Sequence, residues 1–229
     1  MSAEHARIEL LVGKELEERP LICEELASLY VNVYSAPPWS ESIGTQAARR
    51  QVETVLHPSP DVIPLLAYSR SGESGHVNAF SSGFVFTPSN SQRMDEFLIN
   101  SPYFGSRLGP EAAQEALSTF WRTLVNGQKA DPAIFIADTL RNLDDPQSLL
   151  PYFLSGIDIL EQARAMGARH LVGVTIEESQ IYQILDRRKL LTRVHKTGNS
   201  SSHPVLVFVD DLAALISTYT VLSRMAGQA

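Results

Sequence analysis

One cysteine, Cys23, is all that the chain carries, so neither an internal disulfide nor a cysteine-built zinc site can form. Its neighbours Leu21, Ile22 and Leu26 leave two readings open, a small buried residue or a nucleophile. Apolar runs are short as well, none approaching the ~20 residues a membrane-spanning helix requires. Basic residues are outnumbered, 19 against 26 acidic ones, and the net charge of -7 provides no general attraction to phosphate backbones or anionic lipid. The basic clusters Arg49-Arg50 and Arg187-Arg188-Lys189 are local, so neither nucleic acid nor a membrane is an expected partner.

Several chemistries lack their signatures. The six histidines show no metal-ligand spacing and no HExxH occurs, so no metal is expected. His57-Pro58 and His203-Pro204 read as loop residues. A G-x-S-x-G elbow, a Walker loop and a G-x-G-x-x-G turn are absent too, which leaves hydrolase, nucleotidase and dinucleotide readings without support. The opening MSAEHARIELLV has no basic segment followed by an apolar stretch, so the expectation is a chain without a signal peptide, located in the cytoplasm.

What is present is a patterned α/β chain of 229 residues, expected to form a single domain over 1–229. Arg7 to Val12 reads as a first strand, and Leu21 to Tyr34 as a helix with Ile22, Leu26, Leu29 and Val33 at helical spacing. Pro37 and Pro38 stop that helix, and Thr45 opens a second one that carries Ala48, Val52 and Val55 inward until His57-Pro58-Ser59-Pro60. Two apolar runs, 62–68 and 76–86, flank the turn-rich SRSGESG as a hairpin.

The polar stretch from Thr87 to Gly109 and a helix opening at Pro110 read as an insertion over about 88–130. Then follow a strand in DPAIFIADT (131–139) and a helix with Phe153, Ile157, Leu160 and Ala163 in one stripe, ended by Gly167. HLVGVTI (170–176) is the next strand, parallel to the previous one because a crossover helix joins them. A short helix near Ser179 to Arg188, the strands LLTRVHK and VLVFV around TGNSSSH, and a helix capped by Asp210 or Asp211 complete the chain. That last helix carries Leu212, Leu215, Ile216, Tyr219 and Leu222; it covers its own sheet or pairs with a second copy in a homodimer.

This order resembles the GNAT superfamily of acyltransferases, which move an acyl group, usually acetyl, from coenzyme A to an amine. The phrases YSAPPW after the first helix, PLLAYSRSGESGHVNAFSSGF at the hairpin and EQARAMGARHLVGVT at the crossover carry the resemblance, over roughly residues 7 to 210. It implies a mixed central sheet of about seven strands flanked by helices, with an inserted helix before the fourth strand and an extra C-terminal helix. It also implies acetyl-CoA or another acyl-CoA as co-substrate and a small-molecule amine as acceptor.

The family's Q/R-x-x-G-x-G/A loop, whose backbone amides hold the cofactor's pyrophosphate, falls on 147–152. Gln147, Ser148, Leu149 and Leu150 are the implied cofactor residues, together with the amides of Ala137 and Thr139 where the two parallel strands diverge. Leu150 and Tyr152 stand where the family has glycine, and Pro151 has no N–H to offer. The tyrosine that protonates the departing thiolate falls on Leu185 and a customary glycine on Lys189, leaving Tyr182 about one turn earlier as the candidate acid.

Asp138, at the end of its strand, is the candidate base, with Glu177 and Glu178 as alternatives. Tyr34 and Trp39 are candidate walls of the acceptor site. Three functions stay open: an N-acyltransferase working by direct attack, a GNAT-like binding or regulatory module without catalysis, or a GNAT-fold enzyme using a different acyl donor.

Overall fold

The computed structural model describes residues 7–16, 18–19, 21–40, 42–56, 62–71, 75–87, 91–101, 104–124, 132–199 and 203–228. The His57-Pro58-Ser59-Pro60 break and parts of the SRSGESG and TGNSSSH turns lie outside them. The strands are β1 (Ile8–Val12), β2 (Ile63–Arg70), β3 (Val77–Phe86), β4 (Ala133–Arg141), β5 (His170–Thr175), β6 (Arg193–Lys196) and β7 (Val205–Val209). They form one seven-stranded sheet in the order β1-β2-β3-β4-β5-β7-β6. β4 and β5 run parallel; the other neighbours are antiparallel.

Side chains alternate across this sheet because strand residues point to opposite faces in turn. On one face Leu66, Tyr68, Phe80, Phe84 and Phe135 pack with α1 (Ile22–Ser35) and α2 (Thr45–Leu56). Leu65, Ala67, Val85 and Ile134 point the other way, under α6 (Leu149–Ala165) and α8 (Leu212–Ala226). Covered on both sides, β3 is buried along its whole length. The predicted stripe of Phe153, Ile157, Leu160 and Ala163 is the buried face of α6, and each large apolar side chain so buried contributes ~1.5–3 kcal/mol.

Between β3 and β4 the chain forms α3 (Ser91–Asn100), α4 (Gly105–Leu108) and α5 (Pro110–Thr119), extended by a π turn over Phe120–Leu124. Sequence reasoning expected only the helix at Pro110. In α3, Met94, Phe97 and Leu98 sit at helical spacing and are buried, a short apolar edge diluted by the polar letters around it. α7 (Gln180–Arg187) begins at a cap not expected from the sequence, Ser179 Oγ accepting from Tyr182 N, and α8 at an expected one, Asp211 Oδ1 accepting from Ala214 N at 2.9 Å. α8 packs antiparallel along α6, so its end at Gly227 lies against the side chain of Leu150 in α6's first turn. Among the described residues, no helix is long and apolar enough to cross a membrane.

Candidate functional site

β4 and β5 share hydrogen bonds only from Ala133 opposite His170 to Ile136 opposite Gly173, after which they part. The parting coincides with a bulge. Across the β3 ladder Ser82 faces Asp138 and Gly83 faces Ile136, leaving Ala137 without a partner. A bulge inserts one residue and resets the alternation of faces. Ala137 and Asp138 therefore both point toward α1, whereas strict alternation would have sent Asp138 toward α6. Thr139 takes the α6 side instead, its Oγ1 accepting from Ser81 Oγ at 3.3 Å, while Ser81 Oγ and Ser155 Oγ lie 3.1 Å apart. Gly83 makes the bulge possible, because a Cβ there would stand 2.1 Å from the Phe135 carbonyl oxygen.

The parting strands open a cavity of ≈ 240 Å³ that passes from one side of the sheet to the other. On the α1 side it is walled by Tyr34, Pro37, Pro38 and Trp39; on the α6 side by Tyr152, Gly156, Ile181, Leu185 and Tyr219. Toward the C-terminal ends of β4 and β5 it meets Leu143 on one loop and Glu178 on the other, Leu143 being exposed.

Asp138 sits at the waist of this passage and is 2 % exposed. Tyr34 Oη donates to its Oδ1 at 2.8 Å, and among the described residues its Oδ2 has no hydrogen-bond partner. Burial pushes the carboxyl up to about 7, with the Tyr34 hydrogen bond pulling the other way. A carboxyl of that kind exchanges its proton near neutrality. Tyr34 is itself held between two aromatic rings, stacked on Tyr30 at 4.3 Å and tilted against Trp39 at 5.0 Å. Arg107 of α4 donates to the Trp39 carbonyl at 3.2 Å and so ties the segment before β4 to the proline corner.

Tyr34, Trp39, Ala137, Asp138 and Thr139 are thus brought together on one cavity wall. Gln147, Ser148, Leu149 and Leu150 are not on that wall. Asp145 Oδ1 accepts from Gln147 N at 2.9 Å, capping a 3₁₀ turn over Pro146–Ser148. Ser148 Oγ lies 2.6 Å from the carbonyl oxygens of both Asn142 and Asp145, which share its single O–H donor. These groups hold the loop together.

Tyr182 also lies off the cavity wall, because Ile181 and Leu185 share the helix face that meets the cavity and residue 182 is rotated about 100° from Ile181. Its Oη donates to Glu177 Oε1 at 3.4 Å, and Glu177 pairs with Lys196 Nζ at 2.5 Å. Burial, reinforced by Glu177, raises the Tyr182 phenol. Lys189, where the resemblance puts a glycine, adopts φ 55°, a left-handed backbone that glycine takes more readily than lysine.

Sequence reasoning missed Arg141, Tyr152 and Tyr219 on the cavity wall. Burial pushes the Tyr152 phenol up to about 12, opposed by the charge of Arg141, and pushes the Tyr219 phenol well up, with Tyr152 adding to it. In the sequence Tyr219 is one member of an apolar stripe, and nothing in a stripe distinguishes a cavity wall from a core position. Among the described residues, no three histidine, cysteine, aspartate or glutamate side chains come together as metal ligands.

No family model and no curated protein matches the chain. Solved structures do. The mosquito arylalkylamine N-acetyltransferase like 5b superposes with a TM-score of 0.53 at 12% identity, over 88% of this chain and 98% of that one. A Desulfovibrio desulfuricans protein assigned to the GNAT acetyltransferases gives 0.51 at 9% identity, over 90% of this chain and 100% of the other. BCP1 from Saccharomyces cerevisiae gives 0.52 at 13% identity, over 98% and 92%. At such identities the likeness is one of fold, and the fold is that of the GNAT superfamily.

Proposed function

We propose that the protein is an acyl-CoA-dependent N-acyltransferase, with acetyl-CoA the first donor to try, that acylates a small-molecule amine by direct attack. The observation that carries this reading is Asp138: a buried carboxyl, tuned to about 7, with one oxygen unpartnered among the described residues, on the wall of a cavity that joins the two sides of the sheet. Two substrates entering from opposite sides would meet beside it.

The amine enters past Tyr34 and Trp39 as an ammonium, whose charge the ionised Asp138 accepts along with one proton. The neutral nitrogen then attacks the thioester carbon. The bulge leaves Ala137 without an opposite residue on β3, and its N–H is the group assigned here to polarise the thioester carbonyl. The apolar and aromatic acceptor wall favours a primary amine with an apolar body over a highly charged one. The test is calorimetric titration with acetyl-CoA and longer acyl-CoAs, followed by mass detection of acylated product from a panel of primary amines. Binding with turnover is expected; no binding of any acyl-CoA overturns the reading.

One observation favours a second reading, a GNAT-fold binding module without catalysis. The first turn of α6 has Pro151 in place of an amide donor, and the end of α8 packs on Leu150. On that reading amines bind and no acyl-CoA does.

A further inference from the structure

The acyl-transfer reading leaves one step without a residue. When the nitrogen–carbon bond forms and the carbon–sulfur bond breaks, the bonding pair leaves with sulfur, and a thiolate formed in an apolar cleft is costly unless it is protonated there. Leu185 on α7 supplies no proton, and the Tyr182 hydroxyl is turned to Glu177. The hydroxyls on the wall are mostly engaged. Tyr34 donates to Asp138, and Thr175 Oγ1 and Ser179 Oγ bond each other at 2.6 Å.

Resting on that reading, we propose that Tyr219, from the C-terminal helix α8, is the catalytic proton donor to the departing sulfur. Its side chain lines the same cavity as Asp138 and Leu185, it is buried, and its hydroxyl has no hydrogen-bond partner among the described residues. Its ring is located by α6: a Cβ at Gly156 would lie 2.6 Å from the Tyr219 ring and 3.8 Å from Ser81 Oγ, and Ser81 Oγ is 3.3 Å from Thr139 Oγ1. The Tyr219 ring and Ser81 Oγ thus approach the same point of α6, and Ser81 Oγ in turn donates to Thr139, the residue next to Asp138, all on the opposite side of the sheet from Tyr34 and Trp39.

Tyr152 is the remaining phenol on the wall, but it is less buried and lies in α6's first turn within the field of Arg141. Burial keeps the Tyr219 phenol protonated through the neutral range, and the same apolar surroundings raise the proton affinity of a thiolate formed beside it.

The protons balance. Asp138 takes the first from the ammonium and releases it to solvent. Sulfur takes the phenol's proton, and the second proton of the amine restores the phenol. One amide, one thiol and one free proton result.

Tyr219→Phe keeps the ring over Gly156 and removes only the acid. With 2-phenylethylamine as acceptor, two small donors of similar size separate the roles: the thioester of N-acetylcysteamine, which expels a weakly acidic alkyl thiol, and S-phenyl thioacetate, whose thiol is acidic enough to leave unaided. The expected result is a loss of about 100-fold or more in kcat with the first donor, in the range of general acid catalysis, and little loss with the second. Equal losses with both donors, or none with the first, overturn the assignment of Tyr219 while leaving acyl transfer standing. A wild-type chain that acylates no amine from either donor or from acetyl-CoA overturns the acyl-transfer reading, and this one with it.

Discussion

Tyr34 and Asp138, 104 residues apart, are joined by a 2.8 Å hydrogen bond from the phenol to Oδ1, so α1 and the bulge of β4 hold one carboxyl between them. The bond opposes the upward push of burial on Asp138. Tyr34→Phe removes that opposition, so the carboxyl is expected to move further above its ordinary value. A base must be ionised to act, and the acidic limb of kcat/KM against pH should therefore shift to higher pH. An unmoved limb would contradict the coupling.

Asp138 also links stability to pH. Its folded value of about 7 lies above the unfolded 3.8, so between those values the folded state binds more protons. Stability should fall as pH rises from about 4 to about 7 and level off beyond, by an amount on the order of a few kcal/mol. Urea unfolding at pH 5 and pH 8 measures it. In Asp138→Asn that contribution should vanish, leaving the variant more favoured relative to wild type at pH 8 than at pH 5.

The bulge itself depends on Gly83. Gly83→Ala places a methyl 2.1 Å from the Phe135 carbonyl oxygen, a backbone atom that cannot turn aside. Loss of ~2 kcal/mol or more in urea unfolding is expected, in line with other strained core substitutions. An alanine variant as stable as wild type would mean that the bulge does not need this close approach.

Arg107 reaches from α4 to the Trp39 carbonyl. Arg107→Ala should loosen the acceptor wall, raising KM for the amine several-fold while acyl-CoA affinity, measured by calorimetry, stays unchanged. A weakened donor site would contradict the separation of the two sides.

The order of strands and helices was readable because most elements bury a face with a clear period, as the stripe of α6 illustrates, and because a cap residue such as Asp211 marks a helix start. α3 escaped because its apolar edge is only Met94, Phe97 and Leu98 amid polar letters. Asp138 could be located at a strand end, but its direction could not: that depends on a bulge set by Gly83 on a strand more than 50 residues earlier. The loop at 147–152 was legible for what it lacks, and Pro151 does remove a donor there. Tyr219 was hidden because it reaches the cavity through Gly156, on an element that a stripe of residues describes only as covering the sheet.

Acyl transfer with Asp138 as the base is the proposal on which the other predictions about activity depend. Incubating wild-type protein and Asp138→Asn with acetyl-CoA and a panel of primary amines, and following both free thiol and acylated amine across pH 5 to 9, tests it directly. The expected result is stoichiometric thiol and amide from wild type, rising with pH through about 7, and a loss of about 100-fold or more in the variant with acetyl-CoA still bound. Turnover in Asp138→Asn equal to wild type, or no acylated amine from wild type with any member of the panel, would contradict it.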